Sequence, residues 1–321
     1  MNATPSRRPC CALLAAALLV PAAATQNQGY QIPVLDGAWW QVAGNPQLGD
    51  IQGVQQEPVD FAIWQAADGT WQLWSCIRGT NCGGATRLFY RWQGSSLTSP
   101  NWQPMGIAMQ ADPTIGEIPG GLQAPHVFRW NGSWYMVYGD FLRICLAISD
   151  DGKTFSRVMN AARQPNLFDG PYLGTRDPMM LRIGSLHVCY SMGSNIAAQY
   201  QSAIFARTSA DLVHWSEPMM VSAGGIASVP STPFDAECPF VVERNGWYYM
   251  FRNQVYGPAA LNTQYASRNP FAFGVGDDRF RIGTLPVAAP EIVLHQGQYY
   301  LAALMPNLDG IRITRMKWVN P

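Results

Sequence analysis

Hydrophobic residues along this chain fall into short apolar runs separated by polar turns that are centred on glycine. The same unit recurs five times: an apolar run, a turn, and a second run rich in aromatic residues, as in VDFAIWQAADGTWQLW. Glycine permits the positive φ that a tight turn requires, so each unit predicts a β-hairpin. Helical periodicity is nowhere sustained for more than a turn or two. The pattern therefore predicts an all-β protein.

The spacing of the hairpins predicts how they are arranged. They begin near residues 60, 124, 177, 237 and 289, and the segments between them supply further short strands. A repeat of roughly 50 to 65 residues with several strands per unit is typical of the blades of a β-propeller. We predict one five-bladed domain over residues 26–321. The segment at 37–49 is expected to pack with the last blade and close the ring.

The composition restricts the classes of partner. Charged residues make up 13% of the chain, and 21 Lys and Arg balance 21 Asp and Glu. No basic field is present that would attract nucleic acid. Aromatic residues reach 12%, with 12 Trp, which suits both a core of large rings and the stacking of sugar rings on exposed aromatics. An oligo- or polysaccharide is the expected partner.

The first 25 residues have the features of a signal peptide. Arg7 and Arg8 precede the apolar stretch CCALLAAALLV, and the small residues of PAAAT follow it. This stretch is too short for a typical membrane span. We expect a secreted or periplasmic protein without stable membrane insertion after cleavage, with a retained membrane anchor as the alternative.

The cysteines do not predict a disulfide framework. Of seven, Cys10 and Cys11 lie in the signal peptide, which leaves an odd number. Cys76 and Cys82 enclose a short loop and could pair in an oxidising compartment, a question that the sequence leaves open. No CxxC motif or Cys/His cluster indicates structural zinc, and we predict neither metal ligands nor a cofactor. The sequence leaves open whether a calcium or sodium ion lies in the axial channel.

Three hairpins begin with a carboxylate, and these are the strongest candidates for chemistry. They are Asp60, Asp177 and Glu237, each from a different unit. The first strand of each propeller blade lines the central axis, so the three side chains are expected to converge there. Cleavage of a glycosidic bond requires a carboxylic acid that protonates the leaving oxygen and a carboxylate on the opposite side of the sugar.

Two of these carboxylates lie in motifs that resemble a known family. Residues 176–178 read Arg-Asp-Pro and residues 237–239 read Glu-Cys-Pro, which resemble the RDP and EC motifs of glycoside hydrolase family 32. The segments APHVF and SADLVHW are similar to those of family 32 and the related five-bladed family 43. The resemblance spans residues 37–319. It implies a glycoside hydrolase in which Glu237 is the general acid and Asp177 holds sugar hydroxyls and stabilises positive charge.

The first hairpin departs from the family 32 pattern. That family carries a WMNDPNG-like motif around its nucleophilic Asp, whereas this chain reads EPVDFAIW. We assign the role of the family's nucleophilic Asp to Asp60 by position, because Asp60 precedes Trp71 and Leu73 by the same number of residues as in the family. The resemblance implies that Asp60 is the nucleophile of a retaining enzyme or the base of an inverting one. Fructofuranosides and arabinofuranosides are the expected substrates.

Three further residues are candidates for substrate binding. Arg176 is expected to bind a sugar hydroxyl or a carboxylate substituent. Its pairing with Asp177 is not assumed, because neighbours on a strand face opposite ways. Glu291 and His126 each follow the proline of their unit, in the fifth and second copies. Both are expected near the axis. A structural role for His126 is equally open.

Two other functions remain open from the sequence. A catalytically silent carbohydrate-binding propeller would tolerate the altered first motif. A glycoside phosphorylase would require a cluster of Arg, Lys or His around a phosphate, of which only Arg176 and His126 are evident.

Overall fold

The structure is a computed structural model that describes residues 29–228 and 232–321. Within these ranges, twenty-two strands form five antiparallel sheets, one for each predicted repeat. The predicted all-β, five-bladed propeller is confirmed. The predicted signal peptide at residues 1–25 lies outside the described residues. No helix in the described ranges is long and apolar enough to cross a membrane.

The strands are numbered in chain order, and three short 3₁₀ helices within the described ranges connect some of them. The strands are β1 (Ile32–Leu35), β2 (Trp40–Gly44), β3 (Glu57–Gln65), β4 (Trp71–Arg78), β5 (Leu88–Gly94), β6 (Gln103–Met109), β7 (Gln123–Trp130), β8 (Ser133–Gly139), β9 (Arg143–Ser149), β10 (Ser156–Arg157), β11 (Asn166–Asp169), β12 (Arg176–Ile183), β13 (Leu186–Ser194), β14 (Ser202–Ser209), β15 (Met219–Ala223), β16 (Glu237–Arg244), β17 (Trp247–Val255), β18 (Leu261–Ser267), β19 (Arg281–Leu285), β20 (Glu291–His295), β21 (Gln298–Leu304) and β22 (Gly310–Val319). The 3₁₀ helices are Gly49–Ile51, Pro113–Ile115 and Gly257–Ala259.

Each blade begins with one of the five predicted hairpins. These are β3–β4, β7–β8, β12–β13, β16–β17 and β20–β21. The glycine at every hairpin turn has a positive φ, as the turn geometry requires. The outer strands β5–β6, β9–β11, β14–β15, β18–β19 and β22 complete the sheets.

The last blade contains both ends of the described chain. Strand β22 pairs with β21 on one side and with β1 and β2 on the other, with Trp40 opposite Ile313 and Leu35 opposite Met316. The expected pairing of the N-terminal segment with the last blade is confirmed. Because strands from both ends share one sheet, the ring closes through backbone hydrogen bonds.

Buried tryptophans join neighbouring blades. Trp64 packs edge-on against Phe155 with ring centroids 5.8 Å apart, and its Nε1 donates to the carbonyl of Gly152 at 2.7 Å. Trp134 of the second blade donates in turn to the carbonyl of Gln65 at 3.0 Å. A buried indole that finds a backbone acceptor combines a large apolar area with a satisfied donor. The tryptophan-rich composition thus serves the contacts between blades.

A backbone irregularity recurs once in each blade beside the axis. One residue there has a positive φ: Asp60 (31°), Ala124 (44°), Asp177 (53°), Cys238 (44°) and Ala289 (47°). In the first four blades the pairing register of the inner strand shifts at this point, as in a β-bulge. A bulge interrupts the alternation of side chains between the two faces of a strand. Two consecutive side chains can therefore face the axis.

The possible disulfide between Cys76 and Cys82 is not formed. Both are free thiols. Cys76 is buried, with its Sγ 3.3 Å from the carbonyl oxygen of Leu122. The Sγ of Cys82 lies 3.5 Å from the carbonyl oxygen of Arg87.

Because the ring closes through β22, a substitution at the centre of this strand should lower the stability of the protein strongly. Ile313 is fully buried there. Ile313→Ala should lower the free energy of unfolding by about 2–5 kcal/mol, because it removes buried methyl groups and leaves a cavity. Leu294→Ala, at a side chain 58% exposed in the same blade, is the control and should change it little. Chemical denaturation measures both. Equal effects would contradict a core role for β22.

Candidate active site

Three of the axial residues come together from three different blades. The carboxylate oxygens of Asp60 and Asp177 and the Sγ of Cys238 lie within 4.8 Å of one another. All three occupy the positive-φ position of their blade. The propeller thus brings together two of the three predicted carboxylates and a thiol that the sequence analysis did not select.

Asp60 is held by two hydrogen-bond donors. The Tyr256 hydroxyl and the Cys238 thiol each donate to Oδ1 at 3.1 Å, and these two groups are themselves 2.9 Å apart. The second oxygen, Oδ2, accepts no hydrogen bond from the described residues. Asp60 therefore has one oxygen fixed by the protein and one available to a ligand.

Asp177 lies deeper and is almost completely buried. The backbone N–H of Cys238 donates to its Oδ2 at 3.0 Å, and the Nε of Arg176 lies 3.8 Å from its Oδ1. Burial, together with the nearby Asp60 carboxylate, raises the pKa of Asp177 to about 8, against the opposing effect of Arg176. Asp177 is accordingly protonated at neutral pH.

Arg176 lies between the carboxyl groups of Asp177 and Glu237. Its Nη2 donates to Oε1 of Glu237, and its Nη1 donates to the carbonyl of Gly174 at 2.7 Å. Burial raises the pKa of Glu237, while the Arg176 guanidinium acts against this rise. The expectation that Arg176 and Asp177 face opposite ways is wrong, because the bulge at this point of β12 turns both side chains toward the axis.

A cavity of about 330 Å³ opens above these groups. Its lining combines carboxyl groups, cations, amides and aromatic rings: Val59, Asp60, Arg78, Arg87, Gln123, Phe141, Arg176, Phe234, Glu237 and Tyr256. The aromatic groups of this lining are two phenylalanines and a tyrosine. The tryptophans considered for sugar stacking are not part of it.

Gln123 is a functional candidate that the sequence analysis missed. It is 2% exposed, lines the cavity, and its Nε2 has no hydrogen-bond partner among the described residues. In its blade it precedes the positive-φ residue, as Arg176 and Glu237 do in theirs. An alignment of the repeats on their prolines (Gln-Ala-Pro, Arg-Asp-Pro, Glu-Cys-Pro) would have identified it.

His126 and Glu291 meet each other beside the axis. His126 Nδ1 lies 4.0 Å from Glu291 Oε2. Burial lowers the pKa of His126 to about 4, so its imidazole is neutral at neutral pH, and burial raises the pKa of Glu291 well above its usual range. Neither belongs to the lining of the 330 Å³ cavity, and Glu291 lines a narrower one along the axis. Their contact with a substrate stays a prediction.

One group of described residues has the geometry of a metal site. It consists of Asp60, Asp177 and Cys238. Burial and the surrounding carboxylates raise the pKa of the Cys238 thiol well above its usual range. The sulfur therefore keeps its proton and acts as a donor, and a metal ion would have to displace that proton.

The comparisons with known proteins bear on the fold. No protein-family model matches the chain, and no curated protein matches it. Solved structures match over nearly the whole chain. A thermostable family-43 glycoside hydrolase is 18% identical, with a TM-score of 0.62, over 86% of this chain and 96% of that one. An endo-arabinase from Bacteroides thetaiotaomicron is 14% identical, with a TM-score of 0.61, over 86% and 96%.

A third match is a β-xylosidase/α-arabinofuranosidase of family 43 from a compost microbial metagenome. It is 16% identical, with a TM-score of 0.55, over 85% of this chain and 95% of that one. The fold is that of the family-43 glycoside hydrolases. At these identities the likeness establishes the architecture alone. The resemblance to the five-bladed glycoside hydrolases is therefore confirmed for the fold.

The buried proton on Asp177 predicts a pH-dependent stability. The folded pKa of about 8 lies above the ordinary value of 3.8. The native state therefore keeps a proton that the unfolded state loses, and this group's contribution to stability decreases as pH rises between these values, by up to about 1.4 kcal/mol per pH unit. The substitution Asp177→Asn removes this decrease in stability with rising pH.

The stability of Asp177→Asn relative to the wild type should therefore increase from pH 4 to pH 8 in denaturant titrations. Asp50→Asn, at an exposed carboxylate, is the control and should show no such trend. A difference between Asp177→Asn and wild type that is constant with pH would contradict the buried proton.

Proposed function

We propose that this protein is a glycoside hydrolase in which Glu237 is the general acid and Asp60 the nucleophile or base. The observation that carries the proposal is the arrangement of Asp60 and Glu237 in one cavity, with Asp177 buried behind them. The shared fold with family-43 glycoside hydrolases supports it. Glycosidic cleavage requires such a pair of carboxyl groups on the two sides of the scissile bond.

The environment of Glu237 suits a proton donor. Burial raises its pKa, which favours the protonated form that a general acid needs near neutral pH. Arg176 limits this rise and holds the carboxyl in one orientation through its Nη2. A leaving-group oxygen that approaches Glu237 would then accept the proton as the bond breaks.

The environment of Asp60 suits the opposite role. Tyr256 and Cys238 fix one oxygen, and the other is available to the anomeric carbon or to a water molecule. Asp177 acts through its neighbours: as a neutral group it adds no negative charge to the cavity, and its Oδ2 accepts a hydrogen bond from the backbone N–H of Cys238. This positioning role differs from the direct sugar contact that the sequence analysis expected for Asp177.

The fold shared with the solved structures supports a choice of substrates to test. The neighbours named above include an endo-arabinase and a β-xylosidase/α-arabinofuranosidase. Glycans that contain pentoses are therefore the first substrates to test, followed by fructofuranosides. Secretion or export to the periplasm, as the N-terminal sequence predicts, would give the protein access to such polymers.

A hydrolysis panel tests the proposal. It contains aryl α-arabinofuranosides, β-xylosides, β-fructofuranosides and galactosides, and oligosaccharides of the same sugars. Glu237→Gln should lower kcat by about 10²–10⁴, because the leaving group loses its proton donor. Glu243→Gln, at an exposed glutamate on the same strand, should leave it unchanged. NMR detection of the first-formed anomer then distinguishes retention from inversion.

Activity that survives in Glu237→Gln would remove this residue as the acid. Absence of hydrolysis in the wild type across the panel, with sugar binding retained, would favour the carbohydrate-binding propeller.

The contact between Arg176 and Glu237 predicts that substitution of Arg176 shifts the pH profile of hydrolysis. Its guanidinium counteracts the rise in the pKa of Glu237, so Arg176→Gln should raise this pKa further. The acid would then stay protonated to higher pH, and the alkaline limb of kcat/KM should move upward while kcat falls. Arg182→Gln, at an exposed arginine of the same strand, should not move it. An alkaline limb that stays in place in Arg176→Gln would contradict the link between the two residues.

A further inference from the structure

The cavity that contains Asp60 and Glu237 continues outward past two arginines. Arg78 and Arg87 line this inner cavity and also a second, outer cavity of about 660 Å³. Arg78 stands at the end of β4, and Arg87 directly precedes β5 in the same blade. The two guanidinium groups therefore lie at the junction through which an extended ligand would pass.

The arginines of the inner cavity differ in their charge partners. Arg78 forms an ion pair with Glu57, with Nη2 to Oε2 at 2.7 Å, and Arg176 is paired with Glu237. Arg87 has no carboxylate within 4.0 Å among the residues in the described ranges. Its Nη1 donates to the carbonyl of Ala85 at the long distance of 3.4 Å. Its Nε is buried without a hydrogen-bond partner in the same ranges.

The surroundings of Arg87 resemble one half of an anion-binding site. Its guanidinium carbon lies 4.9 Å from the centre of the Phe141 ring, which fixes the plane of the group. A planar guanidinium presents paired N–H donors that match the two oxygens of a carboxylate or sulfate. A partly buried cation without a counter-charge keeps a desolvation cost that an anionic ligand would offset.

A second unsatisfied donor lies in the same cavity. The Nε2 of Gln123 is buried there without a partner among the described residues, and it is neutral. It could donate to an oxyanion or to a sugar hydroxyl beside it. Carboxyl groups line both cavities, Glu57 and Asp309 the outer one and Asp60 and Glu237 the inner one. Glu57 and Glu237 are already paired with arginines.

We propose that Arg87 binds an oxyanion carried by the glycan substrate, either a uronate carboxylate or a sulfate ester, close to the bond that is cleaved. The preferred substrates are then acidic glycans. This inference rests on the proposed function, since it assigns the substrate class of the same site. It accounts for the one arginine of the cavity that has no carboxylate within 4.0 Å in the described part of the chain.

Binding to the Asp60→Asn protein, which lacks the proposed nucleophile or base and keeps the Arg176–Glu237 ion pair, tests the inference separately from turnover. Calorimetry compares matched ligands: oligogalacturonates with their methyl esters, glucuronoxylan oligosaccharides with their carboxyl-reduced forms, and sulfated galactan oligosaccharides with their desulfated forms. We expect the acidic member of at least one pair to bind ten-fold or more tightly, and increasingly weakly as sodium chloride is added. The pair that responds identifies carboxylate or sulfate as the anion.

Substitutions at position 87 then test the residue. Arg87→Gln, combined with Asp60→Asn, should abolish the preference for the acidic member, whereas Arg87→Lys should retain part of it because the charge remains. Arg91→Gln is the matched control, since Arg91 lies on β5 and donates to the carbonyl of Lys153 instead. Thermal unfolding of each variant verifies that it is folded.

Equal affinity for both members of all three pairs would overturn the inference. The same holds if Arg87→Gln weakens acidic and neutral ligands equally. Binding of inorganic phosphate alone at Arg87, with cleavage that depends on phosphate, would also overturn it and indicate phosphorolysis. Hydrolysis of neutral glycans without an acidic preference refutes this inference but not the proposed function, and an acidic preference without hydrolysis refutes the function but not the inference.

Discussion

The left-handed residue beside the axis of each blade is the constraint on which the site depends. A non-glycine residue with positive φ costs about 1–3 kcal/mol, and the propeller carries one at the same point of all five blades. In four blades it coincides with a bulge, so that two consecutive side chains reach the axis. A regular strand would direct one of each pair into the packing between blades. Glu237 and Cys238 face the same region for this reason, as do Arg176 and Asp177.

The electrostatics of the axis follow from that crowding. Asp177 and Glu237 are buried beside the axis and Asp60 is half-buried, with Arg176 as the cation in contact with the first two. Burial, together with the negative charge of the neighbouring carboxylates, raises the pKa of Asp177 to about 8 and also raises that of Glu237. Asp60 stays in place through neutral donors, Tyr256 and Cys238. The environments of Asp177 and Glu237 thus favour their protonated forms, whereas Asp60 accepts hydrogen bonds from neutral donors.

The architecture could be predicted from the sequence because the hairpin signal is local. Alternating apolar residues and a glycine with positive φ define each hairpin, and the repeat spacing then defines the blades. The bulge could not be predicted, since Arg176-Asp177-Pro178 also reads as the regular start of a strand, and the inference that Arg176 and Asp177 diverge was wrong for this reason. Arg87 and Tyr256 lie outside the repeated segments, where only tertiary structure brings them to the cavity. Cys238 formed part of a quoted motif, yet its contact with Asp60 bridges two blades distant in sequence.

The central claim is that the propeller axis is where a glycan is bound for cleavage between Glu237 and Asp60. A crystal structure of Glu237→Gln soaked with an oligosaccharide that the wild type hydrolyses tests it most directly. The account predicts the scissile oxygen within hydrogen-bond distance of residue 237 and the anomeric carbon facing Asp60 Oδ2 directly or through one water. An oligosaccharide bound outside the 330 Å³ cavity, away from both residues, would contradict it.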